Sequence, residues 1–433
     1  MSLTAKVKRL VEHIPYPFGR IIARVPFSVR LGSTYLSAKT ECAVAEGWSE
    51  GSREQYAVAH FRRIFEFARE EFPCYRKLYE KAGVLDLKIE TLADIKKVPR
   101  IDKKWTREHF AEFKGAYRLN TGGSSGEPTA FWMDKDCWAR EWAHMHTIWE
   151  KLGYRYTDIK LTLRGRSHSK KAIAYNPVHN EYVVSPYIAV ADFKNELLSI
   201  CRKRHPKWIH GYPSVIYQFM LELEKCASQE EVESVLGGIR GLMLSSEFPM
   251  PYMLEKFKKY GMQTVSWYGH SEMCILAYSV GCTNHYRPFA TYGLAEVDDG
   301  HLIGTSYHNF AMPLIRYDTG DLVGATQVSQ NGRIEEFAIK EGRNSDFILD
   351  RNGKPFSLNS LMIGRHHHAF DVADYVQVEQ TMPGKATFLV CCKRELTHDM
   401  SELFDIPRVD VEFDMRRINK PIRTAAGKLK LRV

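Results

Sequence analysis

The sequence predicts an α/β protein whose centre is a largely parallel sheet, followed by a smaller β-rich region. Three observations carry this. Residues 207–227, 239–261 and 262–273 alternate strand-like and helical runs: "KWIHGYPSVIYQFMLELEKCA", "IRGLMLSSEF" with "PMPYMLEKFKKYG", then "MQTVSWYGHSEM". Alternation of this kind builds parallel sheets. Residues 52–82 set Tyr56, Phe61, Ile64, Phe65 and Ala68 at helical spacing. From His301 onward, "HLIGTSYHNFAMPLIRYDTGDLVGAT" breaks into short β-rich runs with glycine turns, the pattern of a small barrel-like part.

The elements follow in order. The helix over 52–82 is interrupted at Pro73, and Gly83 stands where a helix cap is expected. "LADIKKVPRIDKKWTREHFAEF" reads as short helices around Pro99, and "TAFWM" as a strand. A Trp-rich helix is expected from Asp134 to about Leu152, with Trp138, Trp142 and Trp149 mainly in the core. After Asp346 a β-rich tail continues to Val433.

With 433 residues the chain accommodates two or three domains of about 100–200 residues each. Its 44% hydrophobic and 26% charged content is that of a folded protein rather than a disordered one. No apolar run approaches the length of about 18 residues that a membrane span needs, leaving only peripheral membrane association. The first twenty residues are basic but lack an apolar core and a small-residue cleavage site, so no secretory signal is expected. Nine scattered cysteines do not suggest a disulfide framework, and a reduced, cytoplasmic setting is expected. The net charge of +9 is modest, with local excess at "CRKRHPK" and in the seven Lys and Arg residues after Asp414. A basic tail serves any polyphosphate, and no recognition-helix or aromatic-platform signature accompanies it, so nucleic acid is not an expected partner.

The stretch "LNTGGSSGEPTAFW" (119–132) poses the chemical question, because it carries three glycines, two serines and two threonines. A P-loop needs Lys and Ser/Thr after its last glycine at a helix start, whereas Gly126 is followed by Glu127, Pro128, Thr129 and a strand-like run. Rossmann spacing is also absent. What remains is a hydroxyl-bearing loop whose backbone N–H groups suit phosphate oxygens, or an ordinary Gly/Ser turn.

Other stretches share this polar character. "WYGHSEM" places Ser271 and Glu272 at a strand end, "RYDTGDL" places Asp321 beside a glycine turn, "EGRNSDFI" carries Arg343 and Asp346, and "RTAAGKLKLRV" carries Lys428. Each by itself also fits a structural role. "HSEMCILAYSVGCTNH" further spaces Cys274, Cys282 and His285 as C-x7-C-x2-H, a spacing that suits Zn²⁺. Buried apolar cysteines explain it equally well.

Taken in order, "TGGSSGEPT", "SSE", "WYGHSE", "RYDTGDL", "GRNSD" and "RTAAGK" resemble the successive motifs of the adenylate-forming superfamily of acyl-CoA synthetases, nonribosomal-peptide adenylation domains and luciferases. The chain is similar to its phenylacetate–CoA ligase-like branch, and within that to CapK-type capsular-polysaccharide relatives, which share "FPCYRKLYEKAGV" and "HGYPS". The resemblance spans roughly residues 40–433.

It implies a large N-terminal domain over 1–345, binding ATP and the acyl substrate, and a small mobile α+β C-terminal domain over 346–433 that carries the lysine. It implies ATP-dependent carboxylate adenylation, then acyl transfer to CoA, a carrier thiol or an amine, with ATP and Mg²⁺ as cofactors. By the resemblance, Thr121, Ser124, Ser125 and Gly126 match the loop over the β- and γ-phosphates, although Gly122 replaces the usual Ser or Thr and Ser125 a common Thr. Ser245, Ser246 and Glu247 match the adenine-edge turn, while Tyr268 and Gly269 match the adenine-facing aromatic and its neighbour. Ser271 matches the hydroxyl facing the α-phosphate and Glu272 the Mg²⁺ carboxylate. Asp321 matches the acceptor of both ribose hydroxyls, Arg343 the hinge-motif arginine, Asp346 the hinge and Lys428 the mobile catalytic lysine. Arg164, Arg166, His210 and Tyr212 lie where the acid should meet the protein. The competing readings are an aryl-CoA ligase of aromatic catabolism and a non-catalytic nucleotide-binding scaffold.

Overall fold

The computed structural model describes residues 11–12, 14–120, 129–164, 171–186, 188–246, 249, 251–341, 347–358, 361, 367–373, 375–392, 399–406, 409–420, 422 and 432–433. Among the described residues, the first named helices are α1 (Gly19–Arg24), α2 (Phe27–Glu46), α3 (Glu50–Glu71), α4 (Pro73–Lys81), α5 (Leu92–Ile95) and α6 (Lys103–Glu108). The expected 52–82 helix is therefore two helices. Ser49 caps α3 by accepting the Ser52 N–H at 3.2 Å, and Pro73 starts α4 at a position where its missing N–H costs nothing. Gly83 follows at φ +69°, a left-handed conformation that glycine adopts without strain.

A two-stranded hairpin comes next, β1 (Tyr117–Asn120) against β2 (Ala130–Met133), and then α7 (Cys137–Glu150). The described strands β3 to β14 form one twelve-stranded sheet in the order β11-β12-β13-β14-β10-β9-β8-β7-β6-β3-β5-β4. Its parallel part is β5 (Glu181–Val184), β3 (Lys160–Leu163), β6 (Trp208–Gly211), β7 (Gly241–Leu244) and β8 (Gln263–Gly269). Helices α8 (Val190–Arg204), α9 (Pro213–Cys226), α10 (Gln229–Leu236) and α11 (Pro251–Lys259) connect these strands, as the alternating pattern predicts. At the edge, β4 (Ile173–Asn176) runs antiparallel to β5.

The two faces of the parallel part differ in kind. Leu161, Leu163, Ile209, Leu242 and Leu244 point into an apolar core with α8–α11. The opposite face supplies Trp208, Met243 and Val265 to a second core under α7, against Ile148 and Trp149.

One expectation is corrected. The β-rich run after His301 forms no separate barrel among the described residues. Strands β11 (Gly293–Asp298), β12 (His301–Ser306), β13 (Tyr317–Val328) and β14 (Ile334–Glu341) extend the main sheet instead, through β10 (His285–Pro288) and β9 (Leu276–Val280). The reason is register. Strand β14 pairs with β10 through His285 and Ala338, so its edge is already taken by the sheet and cannot close on β11. This antiparallel half packs on α3 and α4 through Phe61, Phe65, Tyr75, Tyr317 and Phe337.

The tail holds β15 (Phe347–Leu349), β16 (Pro355–Ser357), α12 (Ala369–Val372), β17 (Tyr375–Met382), β18 (Lys385–Cys391), α13 (Met400–Leu403) and β19 (Glu412–Ile418). It has its own core around Ile348, Val376, Phe388, Phe404 and Phe413, with Phe388 and Phe404 stacked at 4.1 Å. That core is a separate cluster of buried side chains running from Ile348 to Phe413. Lys354 of the tail forms an ion pair with Glu222 of α9.

Buried histidines give the fold a definite pH response. His144 on α7 bonds the Arg140 carbonyl and Thr291, and burial lowers its pKa to about 4. Between pH 6.5 and 4 the unfolded chain takes up a proton that the folded chain refuses. Stability from this group is therefore complete above pH 6.5 and falls as pH drops, by about 1.4 kcal/mol per unit. We expect the urea midpoint to decline from pH 7 to 4.5, and His144→Gln to flatten that decline while lowering the neutral-pH midpoint.

A candidate nucleotide and acyl-substrate site

The carboxyl ends of the parallel strands assemble most of the described candidate residues. Arg164 directly follows β3, Tyr212 follows β6, Ser245 and Ser246 follow β7, and His270, Ser271 and Glu272 follow β8. Ligand crevices in open α/β sheets lie at such ends. Close strand contact fixes the arrangement, since a Cβ on Gly211 would meet the Leu163 carbonyl oxygen at 2.0 Å. Backbone cannot swing away as a side chain does. Gly211→Ala is expected to force β3 and β6 apart and cost about 1–3 kcal/mol, read from the denaturation midpoint.

Glu272 sits in a tight turn in which Met273 has φ +52° and donates its N–H to the His270 carbonyl. Its side chain is buried at 4% exposure, and Oε1 accepts the Tyr317 hydroxyl at 3.2 Å. His270 Nδ1 lies 3.6 Å from Oε2. Burial and the Glu272 carboxylate push the Tyr317 pKa well up, so that hydroxyl remains a donor.

Tyr268, four residues earlier, donates its hydroxyl to Asp321 Oδ2 at 2.7 Å, and its ring meets Phe337 edge-on at 5.5 Å. Asp321 is aimed by a bulge. Strand β13 advances from Asp318 to Leu322 while β12 advances only from Ile303 to His301, and Gly320 absorbs the excess at φ +78°. The Asp321 N–H is held by Thr319 Oγ1. Both carboxylates act on one thiol: burial, Glu272 and Asp321 all raise the Cys274 pKa. Glu272 and Asp321 thus lie within electrostatic reach of the same thiol, each accepting the hydroxyl of a different tyrosine.

Thr121, Ser124, Ser125, Gly126, Arg166, Glu247, Arg343, Asp346 and Lys428 lie outside the described residues. The flanks of the first loop are informative, because Asn120 and Ala130 pair antiparallel. The loop therefore links two strands of a hairpin and does not feed a helix, as the missing P-loop lysine implies.

The zinc spacing does not form a site. Cys274 lies in the core under α3 and α4, with its sulfur 3.5 Å from His270 Nε2. Cys282 is buried in the core with α8–α11, while His285 bonds Glu336 at 2.8 Å. Strand β9 lies between the two cysteines, and at about 3.3 Å per residue it holds them apart. Ligand-like spacing becomes a ligand set only where the chain turns back on itself.

Several polar residues escape a motif-based reading. Lys160 and Glu181 form a buried ion pair at 3.3 Å. Burial alone would raise the Glu181 pKa, but Lys160, His179 and a 2.7 Å bond from Thr162 outweigh it and hold the acid ionised. Asn176 donates to its other oxygen at 2.9 Å. Lysine inside a strand-like run was the available signal. Arg316 of "RYDTGDL" is also buried, binding the Lys96 and Val98 carbonyls and Glu296 and so anchoring the segment before the bulge.

The fold is shared with an acyl-CoA ligase of known structure. The chain superposes on 2-hydroxyisobutyryl-CoA ligase in complex with 2-HIB-AMP and CoA, in its thioesterification state, at a TM-score of 0.55 with 15% identity, covering 89% of this chain and 90% of that one. The same ligase in its postadenylation state with R3-HIB-AMP superposes at 0.51, with 14% identity and the same coverage. In sequence, the chain is similar to Protein CapK of Staphylococcus aureus, 22% identical over 311 residues, covering 67% of this chain and 68% of CapK. No family model matches the chain. No helix among the described residues is long and apolar enough to cross a membrane.

Proposed function

We propose that the chain is an ATP-dependent ligase that joins a carboxylic acid to AMP with release of pyrophosphate, then passes the acyl group to CoA, a carrier thiol or an amine. One observation supports the reading: Glu272 and Asp321, 49 positions apart in sequence, both lie within electrostatic reach of Cys274, and each accepts a tyrosine hydroxyl. An ionised carboxylate accepts two hydroxyls, the task a ribose sets for Asp321. Glu272 is a hard oxygen donor of the kind Mg²⁺ prefers, and the ion, when bound, would supply charge against the phosphates, while Ser271 offers its hydroxyl to the α-phosphate. Tyr268 offers a ring beside that position, and the hydroxyls of Thr121, Ser124 and Ser125 serve the outer phosphates.

Attack of a carboxylate on a polyanion needs cations aimed at the reacting phosphorus. By the resemblance, Lys428 is matched to one, on a C-terminal domain whose hinge is matched to Asp346, and Arg343 is matched to a ribose- or phosphate-facing arginine. Arg164 and Arg166 have the fork geometry that pairs with the incoming carboxylate. The CapK-type resemblance supports a place in surface-polysaccharide assembly, in the cytoplasm. The test is a pyrophosphate-release screen over aliphatic, aromatic, amino and sugar acids, with and without CoA. At least one acid is expected to give acid-dependent release; an ATP-binding protein that responds to none of them refutes the reading.

A further inference from the structure

We propose that the acid this chain activates carries an uncharged hydrogen-bonding group, a hydroxyl or an amide, which seats against His210 and Trp149. The inference rests on the adenylating reading above and specifies its substrate.

The sheet face toward α7 is unusually polar for a layer beneath a helix. Thr162, His210, Met243 and Val265 lie in register across β3, β6, β7 and β8, and Lys160, Ser245 and Trp267 sit two residues away along their strands. The opposite face of β3, β6 and β7 supplies leucine and isoleucine to the core, while β8 places Thr264 and Ser266 there. Across β3, β6 and β7 the polar residues therefore lie on the α7 side. Most of them satisfy one another: Lys160, Glu181, Thr162 and Asn176 form a closed network.

His210 stands outside that network. It is 4% exposed, and neither ring nitrogen has a hydrogen-bond partner. Its ring lies 5.0 Å from that of Trp149, whose indole Nε1–H is equally buried and equally unpaired. The Ser245 hydroxyl, at the carboxyl end of the adjacent strand, is a third such group. Buried polar groups are almost always paired, and each one left bare costs about 1–3 kcal/mol. His210 near the carboxyl end of β6, Ser245 just after β7 and Trp149 in the last turn of α7 are three bare groups that packing does not explain. They are explained by a ligand that completes them.

Their chemistry limits that ligand. Burial, reinforced by the Arg164 charge, holds His210 neutral, with its pKa well below the ordinary value. A neutral imidazole offers one donor and one acceptor, and Trp149 adds a donor. A hydroxyl both gives and accepts, and an amide supplies both functions on adjacent atoms. A hydrocarbon acyl chain would leave all the groups unpaired. The rings of Trp149 and Trp267, each near His210, supply apolar walls for the rest of the acyl group.

The test is acid-dependent ATP–pyrophosphate exchange with matched pairs: 3-hydroxybutyrate against butyrate, 4-hydroxyphenylacetate against phenylacetate, and N-acetylglycine against pentanoate. Sites built to hydrogen-bond a substrate group reject the analogue lacking it by roughly 10⁴-fold at best. In at least one pair we expect the polar member to lead by about 10²-fold or more in kcat/KM. His210→Leu and Trp149→Phe should each reduce that ratio at least about tenfold, chiefly through KM of the polar acid. Trp149→Phe keeps the ring, so it carries the test if the histidine variant does not fold. Preference for the hydrocarbon member in every active pair, or variants that leave the ratio unchanged, overturns the inference and leaves adenylation standing. Exchange with no acid at all overturns both.

Discussion

Lys428→Ala is expected to lower carboxylate-dependent pyrophosphate exchange by about 10²–10³-fold, the usual effect of deleting one group that stabilises charge in a transition state. ATP affinity should change little, because the reading assigns the outer phosphates, ribose and base to residues before position 345. The lysine acts as a compact point charge on a flexible stem, so Lys428→Arg should not restore the rate. Incubating wild type and variant separately with ATP, an active acid and labelled pyrophosphate, and following label into ATP, measures the loss. An alanine variant that exchanges at the wild-type rate removes the C-terminal lobe from the chemistry.

Glu272→Gln is the second large effect. The amide keeps the size of the side chain and an oxygen to accept the Tyr317 hydroxyl, so the fold should persist. The negative charge disappears, and with it the preferred ligand for a hard divalent cation. We expect a fall in exchange of about 10²-fold and a higher Mg²⁺ concentration for half-maximal rate. A magnesium titration of both proteins, beside a thermal unfolding curve, separates lost metal binding from lost stability. Unchanged magnesium dependence would place the metal elsewhere.

Much of this site was legible in the sequence. "WYGHSE" and "RYDTGDL" are local stretches whose polar residues stand at strand ends or turns, and local patterns survive without tertiary knowledge. The strand–helix alternation over 207–273 was legible for the same reason, since each element buries one face at its own period. Helices α1 and α2 were not. Gly32 breaks α2 with φ +75°, and its buried residues Phe27, Tyr35 and Ala38 are explained only by Ala139 and Ala143 of α7, a hundred positions later. The zinc-like spacing misled because it ignored the strand between the two cysteines.

By itself the sequence determined the class of fold, the order of the polar motifs and the absence of a P-loop, because each depends on neighbours within a few residues. The tertiary structure decided which of those motifs meet. It joined Tyr268 to Asp321, set Tyr317 against Glu272, merged the β-rich segment into the main sheet, and left His210 and Trp149 bare in a buried layer. Pairings of that kind depend on sheet register and on what remains unpaired after packing, and neither is a property of any short stretch of chain.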